Sequence, residues 1–213
     1  MAEARQYAPA TERNRQPILS ILQQVLPAQG TVLEIASGTG EHAAFFAPRL
    51  GPPISQLDWL PSEVNADRIE SIKAWRAALP AENLQPPIML DVAKQPWPVE
   101  EDTVLKQPIS AIVNINMIHI SPWQACEQLI LGAQRVLPIS GVLYLYGPFK
   151  QKETTFAPSN ETFDQMLRDR NPKWGIRDLE AVCDLAQKNG LKHSQTIPMP
   201  ANNLSVIFHR TEL

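Results

Sequence analysis

Sulfur, positive charge and long apolar runs are all scarce in this chain. Its 213 residues include only two cysteines, Cys126 and Cys183, far apart and outside any C-x-x-C pair, so neither a disulfide framework nor a metal site is expected. Lys and Arg are scattered without a basic run, and the formal net charge is −3. A nucleic-acid partner is therefore not expected, since it would call for clustered cations. No stretch approaches the ~18 consecutive apolar residues of a membrane span, and residues 1–22 contain no apolar segment of signal-peptide length. The chain reads as a soluble, cytoplasmic protein with no membrane contact. Glycine is outnumbered by proline, nine residues to twenty, and prolines such as Pro27, Pro52, Pro53, Pro86, Pro87 and Pro138 punctuate loops. There is no internal repeat or low-complexity segment. A composition of 44% hydrophobic and 19% charged residues can bury one full core, and the length is short for two ordinary domains, so one domain is expected.

The most informative stretch present is Val32-Leu33-Glu34-Ile35-Ala36-Ser37-Gly38-Thr39-Gly40. A buried-strand pattern runs there without a break into a glycine-bearing turn, and Glu41 to Leu50 reads as the helix that follows. Gly38 and Gly40 can take positive φ and carry no Cβ, so the backbone can bend sharply and a ligand can lie against it. Glycines that serve turn geometry alone are the plain alternative. The turn lacks the Lys-Ser/Thr of a phosphate-binding loop and has Glu34 shortly before it, which suits a ligand carrying a cationic amine better than a pyrophosphate. In this it resembles the glycine loop of class I S-adenosylmethionine (SAM)-dependent methyltransferases.

Around that turn the chain alternates. A leading helix spans Arg13 to Leu26, with Pro17 in its first turn, and strands are expected at Thr31–Ile35, Ile54–Leu60, Pro87–Asp91, Ser110–Ile115 and Gly141–Tyr146. Helices are expected at Ala66–Leu79, Pro122–Leu137 and Asp178–Asn189, the last with Gly190 as its stop signal. Lys192–Pro198 and Asn203–Phe208 then form a terminal hairpin. This order specifies an α/β fold: a doubly wound, mostly parallel, seven-stranded Rossmann-like sheet with a C-terminal antiparallel hairpin. Residues 1–30 would form a helical cap, 31–150 the SAM-binding core, and 151–213 the acceptor-side loops, helix and hairpin.

In such sheets ligands sit beyond the carboxyl ends of the strands, so strand-terminal residues are the candidates. The first strand gives Glu34, Ala36, Ser37, Gly38 and Gly40. Glu63 ends the second, roughly 20 residues past the turn, where a ribose-binding acid belongs. Asp58 competes for that role, but it lies within the strand, with Trp59 after it. Asp91 and Val92 end the third and can meet an adenine amino group and ring, and Asn116 and Met117 close the fourth beneath the sulfonium. Any one of these acids could instead cap the next helix. Three acids at three successive strand ends after a glycine turn are a stronger signal than each alone.

The blocks Glu12-Arg13-Asn14, Leu33 to Ala43, Pro61-Ser62-Glu63, Asn116 to Pro122, Tyr146-Gly147-Pro148-Phe149, Asn171 to Asp178 and Met199 to Asn203 resemble those of the methyltransferase-like protein twenty-six family. The likeness extends over nearly the whole chain and implies the class I fold and SAM as cofactor; it supplies no substrate. At Glu63 that family more usually has Asp.

Methyl transfer needs a positioned nucleophile and, for a hydroxyl or amine, removal of a proton. His119, just past the fourth strand, is the candidate base, with Tyr146 as a second candidate at the reacting centre; a histidine packed beneath the loop and hydrogen-bonded to a backbone carbonyl is the alternative. His42 reads as a wall of the cofactor pocket, while Arg13 and Asn14, placed before the leading helix, would belong to a lid over the cofactor. Tyr146, Asn160, Trp174, Arg177, Asn202 and Asn203 are the candidate acceptor-binding residues, with Asn171 nearby; Arg177 could equally pair with Asp178 or Glu180. The expected partner is a small polar molecule, and the oligomeric state is left open. Two rival readings are a non-catalytic SAM-binding or interaction module and an NAD-linked oxidoreductase. The second is disfavoured by Ala44 near the place of the third fingerprint glycine.

Overall fold

The computed structural model describes residues 4–79, 81–101 and 105–212, which leaves the first three residues of the expected cap outside. Helix α1 (Pro9–Val25) leads into β1 (Gln29–Ile35), α2 (Glu41–Leu50), β2 (Gln56–Glu63), α3 (Ala66–Ala78), the short β3 (Ile88–Met89) and β4 (Ile109–Ile115). There follow α4 (Trp123–Val136), β5 (Val142–Gly147), β6 (Phe149–Lys150), α5 (Pro158–Arg170), β7 (Arg177–Asp178), α6 (Leu179–Lys188), β8 (Leu191–Met199) and β9 (Asn203–Arg210). The seven-stranded sheet has the order β3-β2-β1-β4-β5-β9-β8, and β6 pairs with β7 separately. β9 runs antiparallel to both β5 and β8, so the expected α/β sheet with its terminal hairpin is the observed fold. Among the described residues no helix is long and apolar enough to cross a membrane.

The chain divides into two compact units, Met1–Asn114 and Ile115–Leu213. In the first, β1 lies between β2 and β4, parallel to both, and is buried from Gly30 to Ile35. A strand covered on both faces has no solvent side to show, so apolar Val32, Leu33 and Ile35 face both ways along it, and its buried Thr31 and Glu34 are held by hydrogen bonds. Phe46 of α2 packs on Trp59 of β2, and Leu33, Ile72 and Leu84 are likewise fully buried. In the second unit β5 is buried along its whole length, whereas β8, at the end of the sheet order, is mostly exposed between Leu191 and Met199.

Several elements differ from the sequence expectation. α1 begins at Pro9, so Arg13 and Asn14 lie inside the helix and not ahead of it; Pro9 takes the first-turn position assigned to Pro17, which sits mid-helix. A proline in the first turn sacrifices an amide that has no partner anyway, so Pro9 is the better start signal. β2 begins two residues later than expected, at Gln56, and runs on through Pro61 to Glu63. Helix α5 has no counterpart in the expectation. Its buried residues are Asn160, Asp164 and Leu167, a helical spacing in which two of the three are polar, so no apolar stripe marks it.

Candidate cofactor and acceptor sites

The turn after β1 is built on three residues of left-handed backbone. Ala36, Gly38 and Gly40 have φ of 57, 58 and 91°. The non-glycine Ala36 carries strain of the kind found at ligand-binding turns. The two glycines serve different ends. A Cβ on Gly40 would lie 2.8 Å from Ile72 Cα, so Gly40 is required by packing against α3. A Cβ on Gly38 would meet nothing within 4 Å. Gly38 therefore borders open space, a cradle into which a side chain or a ligand could project.

Glu63 joins the end of β2 to this turn. Its Oε2 accepts from the Gly38 amide at 2.9 Å, while Oε1 accepts from the Val64 and Asn65 amides at 2.8 and 3.2 Å. A carboxylate has about four acceptor sites, so three amides leave roughly one for a ligand hydroxyl, on Oε2. Arg68 reaches the same oxygen at 3.7 Å. Asp58 is elsewhere: it is level with Thr31 near the start of β1, and its carboxylate accepts from Gln85 and Gln107.

Glu34 lies beneath the turn, 2% exposed, accepting from Trp59 Nε1 and Ser37 Oγ, each at 3.0 Å. Burial pushes its pKa up to about 7, against the two hydrogen bonds that favour the anion. It is thus a sealed carboxyl group that supports the turn. Ser37 also ties the turn to β2 through the Ser62 amide. Asn114, in β4, donates to the Ile35 carbonyl at 3.0 Å and leaves its own buried Oδ1 without a partner.

Asn14 and His42 meet directly, Asn14 Oδ1 to His42 Nε2 at 2.8 Å, with the imidazole stacked on Phe46. Burial first, and Arg15 second, lower the His42 pKa to about 3, so the ring is neutral and donates from Nε2. Arg13, on the same helix, is exposed. The chain before α1 lies over the glycine turn: the Ala8 amide donates to Glu41, and the Gln6 amide donates to Ser71 Oγ, which itself donates to the Thr39 carbonyl. Sequence reasoning missed Glu41 and this strap; the acid directly after Gly40 was the available signal. Past β3, Asp91 Oδ1 accepts from the Ala93 amide at 3.0 Å and the Val92 carbonyl from Trp97 Nε1 at 3.2 Å.

In the second unit Asn116 takes φ of 65° and donates its amide to the Tyr146 carbonyl at 2.8 Å, opening a single 3-10 turn at Met117–His119. Met117 and Tyr146 are both buried. His119 is fully buried, edge-on to Phe149, and both of its ring nitrogens are unpartnered. Burial, reinforced by Arg177 and opposed by Asp164, lowers its pKa to about 3. The candidate base is thus a sealed, neutral imidazole of low basicity, buried as in the packed-histidine alternative but without that alternative's hydrogen bond to a backbone carbonyl. Gly147 makes room for it, since a Cβ there would lie 2.4 Å from His119 Nε2.

Arg177 pairs with neither Asp178 nor Glu180. Its guanidinium donates to the carbonyls of Ile118, Ser121 and Lys173 at 2.9, 2.6 and 3.1 Å, so it braces the His119 turn and is not presented as a free cation. Trp174 is half-buried and donates its amide to Asn171. Asn160, Asn202 and Asn203 are brought together where α5 starts beside the β8–β9 turn, and with Phe149, Phe156 and Met199 they line a cavity of about 260 Å³. Among the described residues no cluster of His, Cys, Asp and Glu could hold a metal.

These elements define an α/β protein with the Rossmann-like fold also found in O-methyltransferases. An O-methyltransferase family protein from Burkholderia thailandensis superposes with a TM-score of 0.74 at 14% identity, over 95% of this chain and 58% of that one. An O-methyltransferase family 2 protein from Planctomyces limnophilus, in complex with apigenin, gives 0.74 at 14% identity over 95% and 60%. Human N-acetylserotonin methyltransferase in complex with SAM gives 0.71 at 10% identity over 95% and 53%, so this chain spans between half and two thirds of these proteins' lengths. The chain belongs to the DUF938 family, described as proteins of unknown function, whose model matches residues 5–210.

Proposed function

We propose that this protein is a SAM-dependent methyltransferase acting on a small polar acceptor, and that it shares this activity with the methyltransferase-like protein twenty-six family, which its sequence blocks resemble. The observation that carries the reading is the open cradle at Gly38, hydrogen-bonded through its amide to a buried carboxylate with acceptor capacity to spare. A neutral hydroxylated group fits that carboxylate; a phosphate would be repelled by it. In this reading Glu63 takes a ribose hydroxyl, Asp91 and Val92 border the adenine, and the turn from Ala36 to Gly40 holds the methionine portion. Arg13 is assigned to the cofactor's outer rim. Asn14 and His42 brace helix α1 near the turn.

SAM would supply a sulfonium methyl group, which bonds to the acceptor's lone pair as the C–S electron pair returns to sulfur and the acceptor's proton leaves to water. The chain's residues then act by holding and aligning, since His119 is too weak a base and too enclosed to take the proton. That same enclosure favours a second reading, a SAM-binding module without turnover. The two separate when the protein is incubated with methyl-labelled SAM and a metabolite extract: transfer of label supports the enzyme, and SAM binding without transfer supports the module.

Calorimetry tests the cofactor assignment. Gly38→Val should abolish SAM binding in a folded protein, and Glu63→Gln should weaken it by about 1.5–3 kcal/mol, the usual worth of a hydrogen bond to a charged group. Asp58→Asn should be nearly silent. Unchanged affinity in Gly38→Val, or a larger loss in Asp58→Asn than in Glu63→Gln, would sink the assignment.

A further inference from the structure

A cleft in the first unit brings together side chains from three helices. Arg15 of α1, Phe45 and Arg49 of α2, and Trp75 of α3 with Leu79 just past it border a volume of about 460 Å³, inside the ~300–1,000 Å³ range of small-molecule sites. Neither Glu63 nor any residue from Ala36 to Gly40 lines it, so it is not the cradle at Gly38.

Both arginines are turned onto one ring. Arg15 Cζ and Arg49 Cζ lie 4.8 and 4.0 Å from the Phe45 ring centre, so the two like charges are no further apart than those distances combined. Among the described residues neither guanidinium has a carboxylate within ion-pairing distance. Arg49 has a structural reason for its place: it stands in the last turn of α2, where a cation is favoured, and donates to the Phe45 carbonyl at 3.0 Å. Arg15 has none. It is half-buried in the middle of α1 and, among the described residues, donates to no acceptor. An aromatic face attracts a cation but leaves its N–H groups unfilled, and the guanidinium fork matches a carboxylate through two parallel bonds.

The rest of the lining narrows the choice of anion. Its one acid, Glu41, accepts through Oε2 from the Ala8 amide and the Thr39 hydroxyl at 2.5 and 3.1 Å. Two cations against one anion favour a ligand of single negative charge, since a second charge would meet Glu41 with no further cation in the wall. Trp75 spends its Nε1 on the Gln6 carbonyl at 3.0 Å, so its ring offers the cleft only apolar surface. Leu79, 49% exposed, and Pro48 extend that surface.

We propose that this cleft binds a monocarboxylate with an apolar body, its carboxylate on Arg15 and Arg49 and its body against Trp75, Leu79 and Pro48. The proposal goes beyond the methyltransferase reading and does not rest on it.

The test titrates 2-naphthoate, its uncharged counterpart 2-naphthol and inorganic phosphate separately into the full chain without SAM, followed by protein amide chemical shifts. Naphthoate is expected to bind with a Kd of about 1 mM or tighter and at least about tenfold more tightly than either of the others, with shifts concentrated around Arg15 and at residues 41–49 and 75–79. Arg15→Gln and Arg49→Gln keep good helix formers in place and should each weaken naphthoate by about tenfold, the loss of a charge-assisted bond. Leu79→Asp, from an exposed position, should weaken it as well while leaving both arginines in place. Naphthol or phosphate binding as tightly as naphthoate, unchanged naphthoate affinity in Arg15→Gln, or naphthoate shifts that fall elsewhere or are absent in the millimolar range would overturn the proposal. A parallel SAM titration decides the proposed function separately, whichever way the naphthoate result falls.

Discussion

Glu34 and His119 are buried titratable side chains that the fold moves in opposite directions. For Glu34 the folded pKa, about 7, lies above the ordinary 4.5, so its contribution to stability is present in full below pH 4.5 and is lost as pH rises to about 7. For His119 the folded value, about 3, lies below the ordinary 6.5, so its contribution is present above pH 6.5 and is lost as pH falls towards 3. Glutamine at position 34 can accept the same bonds from Trp59 and Ser37 without titrating. The stability of Glu34→Gln relative to wild type is therefore expected to climb between pH 4.5 and about 7, by on the order of 3 kcal/mol, and then level off. Urea denaturation at half-unit pH steps measures it, and a flat difference would mean that Glu34 is ionised at little cost. Gly147 gives the second prediction at this scale. Alanine there would force the His119 imidazole aside, an overpacking that costs about 1–3 kcal/mol. In a His119→Ala background the imidazole is gone and only the Asn116 Oδ1 contact at 3.1 Å and the φ of 157° remain, so the same change should cost at least about 1 kcal/mol less. Equal costs in the two backgrounds would show that the ring is not what Gly147 accommodates.

Elements were legible where their buried face is apolar and obscure where it is not. β1, β4 and β5 stand out in the sequence because strands covered on both sides are rich in apolar residues, and the turn after β1 follows because its glycines end such a stretch. α5 buries Asn160 and Asp164 in place of apolar residues, using them to hold the β8–β9 turn and the Ile176 amide, so its periodicity is written in polar atoms. The candidate sites divide in the same way. Strand-end residues such as Gly38 and Glu63 were foreseeable because topology places ligands there. The bracing role of Arg177 and the Asn14–His42 pair were not, since each depends on which neighbour arrives from a distant segment. Gly147 could have been noticed: a glycine closing an otherwise apolar strand marks either a bulge or a close approach, and here it is the approach of an imidazole.

For the whole molecule the cofactor is a matter of linkage. A ligand that binds only the folded chain stabilises it by RT ln(1 + [L]/Kd), about 2.7 kcal/mol at 100 times Kd. SAM and NAD both carry an adenine and a ribose that Asp91 and Glu63 could meet, but they differ beyond the ribose. NAD brings a pyrophosphate, which the turn would have to receive beside Glu63 and with no cation among Ala36 to Gly40. SAM brings an amino acid and a sulfonium and no phosphate at all. SAM at 100 times its Kd is accordingly expected to raise the urea midpoint by about 1–3 M, for the m-values near 1–3 kcal/mol per M of domains this size. NAD at the same concentration should leave the midpoint where it was. The Gly38→Val protein should unfold at one midpoint with or without SAM, because its side chain fills the space at Gly38 that SAM needs. A midpoint raised by NAD and indifferent to SAM would return the chain to the oxidoreductase reading, and Glu63 would then have to be shown to hold a ribose beside a pyrophosphate.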